Sequence, residues 1–162
     1  MIFIGPELVE TLSLFSSMSL DSGTGKADSS QSPPQFSTRE FLQEMFNEMV
    51  EKKQADLIST YYHPDFSMWT NGKQMTYAEM DSLHRDVYKT PIRYQVTFDD
   101  EAVIETGDRL AVRIFITIQT QDDPAREIEV LLIADFFERK IHRIWELTFP
   151  DWTNLDEFEP VF

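Results

Sequence analysis

The chain has 162 residues, 41% of them hydrophobic and 13% aromatic, which is enough for one packed domain with a real core. Its formal charge of −15 argues against nucleic acid and against anionic membrane surfaces, since both select clustered Lys and Arg. The absence of cysteine excludes disulfides, zinc–thiolate centres and thiol catalysis, and the three scattered histidines, His63, His84 and His142, lack metal-ligand spacing.

Taken from the N-terminus, the chain opens on Met1-Ile2-Phe3-Ile4-Gly5-Pro6-Glu7, which has no positive n-region and is interrupted by Glu7 and Glu10. A secretory leader is therefore not expected, no run reaches the length of a membrane span, and a cytoplasmic location follows as the expectation. Leu8, Leu12 and Phe15 could form a weakly amphipathic turn or two, read either as part of a plain extension or as a docking peptide. Residues 21–35 carry almost no large apolar group and cannot offset their ordering entropy by burial, so residues 1–35 are expected to be a flexible extension.

The folded domain is expected over residues 36–150. Phe36-Ser37-x-x-Glu40-Phe41 is a helix start: Ser37 can accept from the Glu40 N–H, and Phe36 can pack on Phe41. Phe41, Leu42, Met45, Phe46, Met49 and Val50 then form one broad apolar face at helical spacing. A short second helix is expected over Ala55–Tyr61, ending at His63-Pro64-Asp65 because a residue before proline avoids the α region. Asn71-Gly72 marks a two-residue hairpin between strands Phe66–Thr70 and Lys73–Met75, since both central residues must accept positive φ. Met75-Thr76-x-x-Glu79-Met80 caps a third helix, which should run to Lys89 with an apolar stripe of Tyr77, Met80, His84, Val87 and Tyr88.

Four strands follow. Tyr94, Val96 and Phe98 alternate in the first, and Leu110, Val112, Ile114, Ile116 and Ile118 in the second, after a turn at Gly107-Asp108. The third, about Glu127–Phe137, is nearly all apolar beyond Glu129 and is expected at the middle of the sheet with both faces covered. The last, Lys140–Phe149, stops at Pro150. The acidic tail, 151–162, keeps Trp152, Phe158, Val161 and Phe162, and so could pack on the body or on a partner.

Tyr61-Tyr62-His63-Pro64-Asp65-Phe66, the Thr70-Asn71-Gly72-Lys73 turn and the closing Ile141-x-Arg143-Ile144-x-Glu146-Leu147-Thr148, taken in this element order, resemble the SnoaL-like branch of the nuclear transport factor 2-like superfamily over residues 36–150. The resemblance implies an α+β cone-shaped barrel, with about three N-terminal helices packed on a strongly curved, mostly antiparallel sheet. It also implies a homodimer through that sheet and a pocket for a small hydrophobic ligand. Members include polyketide cyclases, ketosteroid isomerases and dehydratases, beside many proteins that only bind or assemble, so fold alone does not name a reaction. No cofactor or metal is expected.

Glu146 is the first candidate for chemistry. A turn of about three residues between the last two strands would set Asp135 opposite Arg143 as an ion pair, and Glu146 opposite Leu132, facing inward with His142 and Ile144. In SnoaL-like cyclases an acidic residue at the matching place serves as acid/base. A carboxylate in an apolar pocket has its pKa raised, which suits proton transfer near neutral pH. The alternative is a buried glutamate that only fixes packing. His84, on the stripe of the third helix, reads either as a general base or ligand-orienting group or as a satisfied core histidine. Tyr62, Trp69, Met80, Tyr94, Leu132 and Ile144 are the expected pocket lining, with Trp145 a further aromatic candidate, and the alternative for each aromatic is plain core. Trp69 departs from the family pattern, in which a histidine often precedes the Thr-Asn-Gly turn.

Overall fold

The computed structural model describes residues 36–120 and 124–155. The expected extension, 1–35, and the last part of the acidic tail, 156–162, lie outside the described residues. Three helices pack on one six-stranded, curved and mostly antiparallel sheet, an α+β arrangement.

Helix α1 is Thr38–Met45, and Ser37 caps it by accepting from the Glu40 N–H. The remaining orphan donors of its first turn find an acceptor from afar. Glu105 Oε1, on a strand, takes Thr38 N at 2.6 Å and Thr38 Oγ1 at 2.9 Å. One continuous helix is expected to Val50, but the chain widens at Phe46–Glu51 into a π-helical turn. Met45, Phe46, Met49 and Val50 are all buried along this stretch. A short 3₁₀ turn, Ala55–Leu57, leads into α2, Ile58–Tyr61.

Strand β1 spans Tyr62–Thr70 and is longer than expected, because His63-Pro64-Asp65 belongs to it instead of forming a loop. His63 is buried against Phe137 and His142, with ring centroids 5.3 and 5.2 Å away. Asn71 and Gly72, at φ 46° and 84°, turn the chain into β2, Lys73–Thr76. The Thr70↔Lys73 pairing confirms a two-residue hairpin. Helix α3, Tyr77–Val87, begins with a full capping box between Thr76 and Glu79.

The remaining strands are β3 (Arg93–Thr106), β4 (Arg109–Gln119), β5 (Arg126–Phe137) and β6 (Lys140–Phe149). The sheet order is β2-β1-β6-β5-β4-β3, and only β1 and β6 run parallel. On the helix side, Leu110, Ile114, Val130, Leu132 and Ala134 meet Leu42, Met45, Met49, Ile58 and Met80, all at most 3% exposed. Each buried Leu, Ile or Met is worth roughly 1.5–3 kcal/mol of transfer free energy.

Three expectations for the sheet are corrected. Strand β5 is central, but among the described residues only one of its faces is covered: Leu131, Ile133 and Phe137 remain exposed on the other. Asp135 does stand opposite Arg143, yet its ion-pair partner is Arg109, on the neighbouring strand β4. The register between β5 and β6 is the expected one, Leu132↔Glu146, but a three-residue turn does not set it. Glu138 and Arg139, at φ 51° and 59°, make a two-residue turn, and a bulge at His142 supplies the extra residue. Because of that bulge, Ile141 and Ile144 both face the core, while His142 turns away to His63 and Phe137 instead of lying with Ile144.

Candidate functional site

Between α1, α3 and the inner face of the sheet lies a half-open apolar cavity of about 160 Å³. An apolar cavity of roughly 150 Å³ accepts benzene, so the space suits a molecule with about one ring. Four methionines (Met45, Met68, Met75 and Met80) line it, and their unbranched side chains adapt to different shapes.

Glu146 and His84 both line this cavity, brought there by β6 and α3. Strand alternation sends Ile144, Glu146 and Thr148 inward while Trp145, Leu147 and Phe149 face out. Burial pushes the Glu146 carboxyl above the usual carboxylate range, against two hydrogen bonds that favour its charged form. Those bonds come from Thr70 Oγ1 at 2.7 Å and Trp152 Nε1 at 3.3 Å, both to Oε1. His84 moves the other way, since burial holds its imidazole below the ordinary histidine value despite the Met80 carbonyl and Asp81. His84 Nδ1 lies 2.9 Å from the Met80 carbonyl. A carbonyl only accepts, so the neutral ring carries its proton on Nδ1 and keeps the Nε2 lone pair.

Tyr62, Tyr88 and Tyr94 complete the polar part of the wall. Burial raises all three phenols, and the nearby Glu146 charge adds to the shift at Tyr62. The Tyr62 hydroxyl reaches only the Met45 sulfur, at 3.8 Å. The Tyr88 and Tyr94 hydroxyls are buried and, among the described residues, have no hydrogen-bond partner. Among the described residues, no group of three or more His, Asp or Glu side chains could hold a metal ion, and no helix is long and apolar enough to cross a membrane.

No family model matches the sequence, and no curated protein matches it. Solved structures do. A protein of Jannaschia sp. CCS1, provisionally named a SnoaL-like polyketide cyclase, is similar at a TM-score of 0.56 and 11% identity, over 72% of this chain and 91% of that one. IdmH of Streptomyces antibioticus, provisionally named a polyketide cyclase, is similar at 0.55 and 13%, over 68% and 90%. An LEH-like epoxide hydrolase of M. tuberculosis is similar at 0.58 and 9%, over 70% and 84%. The chain shares the fold of these solved structures, in keeping with the SnoaL-like resemblance of its sequence. At such identities the likeness extends to the fold alone.

Within this SnoaL-like fold, Tyr62, Met80, Tyr94, Leu132 and Ile144 stand around the cavity together with Glu146 and His84. Trp69 does not. It lies between the inward Met68 and Thr70, so the pleat turns it outward, where it is 45% exposed beside Trp145 and Leu147. The Trp69 expectation is therefore corrected, and with it that for Trp145, its neighbour on β6: both rings belong to the open face of the sheet. Conversely, sequence reasoning passed over Thr70, Tyr88 and Trp152. Tyr88 was visible as the last member of the α3 stripe. Trp152, a lone indole in an acidic tail just past Pro150, gave only a general signal for packing.

Proposed function

We propose that this SnoaL-like chain is a pocket protein for a small apolar or aromatic molecule, and that it catalyses proton transfer of the isomerase, cyclase or dehydratase kind. Glu146 is the acid/base and His84 its partner. Tyr62, Met80, Tyr94, Leu132 and Ile144 shape the hollow of a cone-shaped barrel. The carrying observation is that a carboxyl raised by burial and an imidazole lowered by burial share one apolar cavity. Their proton affinities converge, which is the condition for passing a proton near neutral pH. The unpartnered Tyr88 and Tyr94 hydroxyls favour a ligand with a hydrogen-bond acceptor, such as a carbonyl, because a phenol donates better than it accepts. In this reading the protein acts in the cytoplasm as a homodimer joined through the open face of its sheet.

The test is deuterium exchange at the carbon next to the carbonyl of cyclohexanone, followed by NMR in D₂O. The wild type should accelerate exchange over buffer. Glu146→Gln should lose about 10²–10⁴ of that acceleration with little change in melting temperature. A large fall in stability with exchange unaffected would return Glu146 to a packing role.

A second reading, a non-catalytic binding or assembly module, is favoured by the apolar outer face, where Leu131, Ile133, Trp145, Leu147 and Phe149 are all exposed. A wild type that does not accelerate exchange over buffer would favour it.

A further inference from the structure

The Thr70-Asn71 pair does more than begin a turn. Asn71 uses every polar atom of its amide to join three parts of the chain. Its Oδ1 accepts from Thr148 N at 2.9 Å, while its Nδ2 donates to Thr148 Oγ1 at 2.7 Å and to Asp151 Oδ1 at 2.8 Å. Its backbone N–H donates to the Glu146 carbonyl at 3.2 Å. These bonds fix the end of β6 against the hairpin and draw the segment after Pro150 back to the body, where Trp152 joins the cavity lining and Leu155 is buried.

The result is a small network with a fixed direction. The Trp152 indole N–H can only donate, and it is shared between Thr70 Oγ1 at 3.2 Å and Glu146 Oε1 at 3.3 Å. Thr70, which is fully buried, therefore accepts from Trp152 and turns its own hydroxyl proton onto Glu146 Oε1. Both donors converge on one carboxylate oxygen. Among the described residues no donor reaches Oε2.

We infer that Thr70 and Trp152 are positioning residues that make the two Glu146 oxygens inequivalent, reserving Oε2 as the atom that takes up and returns the proton. Oε1 cannot carry a proton without expelling one of two donors, so the protonated acid is the Oε2–H form. When Oε2 takes a proton from a ligand carbon, the bonding pair stays on the ligand, the carboxylate charge passes to it, and the donors on Oε1 stay in place. Return of the proton to another atom reverses each change. This inference rests on the proton-transfer reading for its purpose, but its geometry can be tested without any reaction.

The test is an NMR titration of protein labelled with ¹³C at the glutamate carboxyl, with the Glu146 signal assigned by its loss in Glu146→Gln. Thr70→Val and Trp152→Phe each remove a donor that favours the charged form, so each should move the Glu146 midpoint upward from the wild-type value. Thr70→Ser restores a hydroxyl and should return the midpoint toward wild type. An amide spectrum of each variant checks the fold. If Thr70→Val fails to fold, Trp152→Phe and Thr70→Ser still decide, the first by an upward move and the second by none. A midpoint that stays put or falls in a folded Thr70→Val or Trp152→Phe overturns the inference. Failure of the proton-transfer reading appears separately: exchange of cyclohexanone would be insensitive to Glu146→Gln while the midpoints still moved.

Discussion

Glu146 is bonded yet still raised, because two donors to one oxygen only partly offset the loss of solvent around the carboxylate. A group whose folded value lies above its unfolded value lends stability in full below the unfolded pKa. That contribution is lost as pH rises through the folded pKa. The wild type should thus weaken, relative to Glu146→Gln, as pH climbs from the ordinary carboxylate range through the raised Glu146 value. Paired urea melts across that range should show the gap closing or reversing in favour of the glutamine. A gap that is flat with pH would mean that the carboxylate is solvated in the folded protein. The inward aim of this residue was legible from strand alternation and one opposite-charge pairing. Its partners were not legible, because Thr70 lies 76 positions away and Trp152 reaches it only after the chain reverses beyond Pro150.

At the scale of elements, local chemistry and local structure agree where caps and turns have strong residue preferences. The Ser37 and Thr76 caps and the Asn71-Gly72 hairpin all read directly from the sequence, because each rests on a side chain or a φ value that few residues supply. The Glu138-Arg139 turn shows the opposite. Neither residue favours positive φ, so the turn carries strain that no propensity reveals, and pairing of the long flanking strands imposes it. Glu138→Asn should relieve part of this strain and stabilise the protein by about 0.5–1 kcal/mol, seen as a higher urea midpoint with an unchanged slope. No gain would mean that the strained turn is held by contacts the glutamate makes, such as its approach to His63 Nε2 at 3.8 Å. The π-helical turn at Phe46–Glu51 was equally hidden, since the periodicity of the apolar residues fits a regular helix.

Across the whole molecule, the sheet divides two surfaces of similar apolar character but different enclosure. One is roofed by helices and contains the cavity. The other leaves Leu131, Ile133, Trp145, Leu147 and Phe149 in solvent, beyond what isolated exposed side chains account for. A run of apolar residues in β5 was expected to mean two covered faces, and among the described residues the inner cover alone is present. The outer cover, on the proposal made above, is a second copy. Light scattering of the wild type should then give twice the chain mass. Leu131→Lys with Leu147→Lys should halve it while preserving the helical circular dichroism. A wild type that is already monomeric at tens of micromolar would leave the face to another partner.

The bulge at His142 has one further consequence. Straightening it, with His142 kept and paired regularly from the Glu138-Arg139 turn, would move each later side chain of β6 along by one place. Trp145 and Leu147 would enter the cavity, and the carboxylate would be delivered to the opposite side of the sheet. The proposed chemistry of this chain therefore hangs on pairing as much as on composition: the same residues laddered without that one irregularity would empty the hollow of its acid.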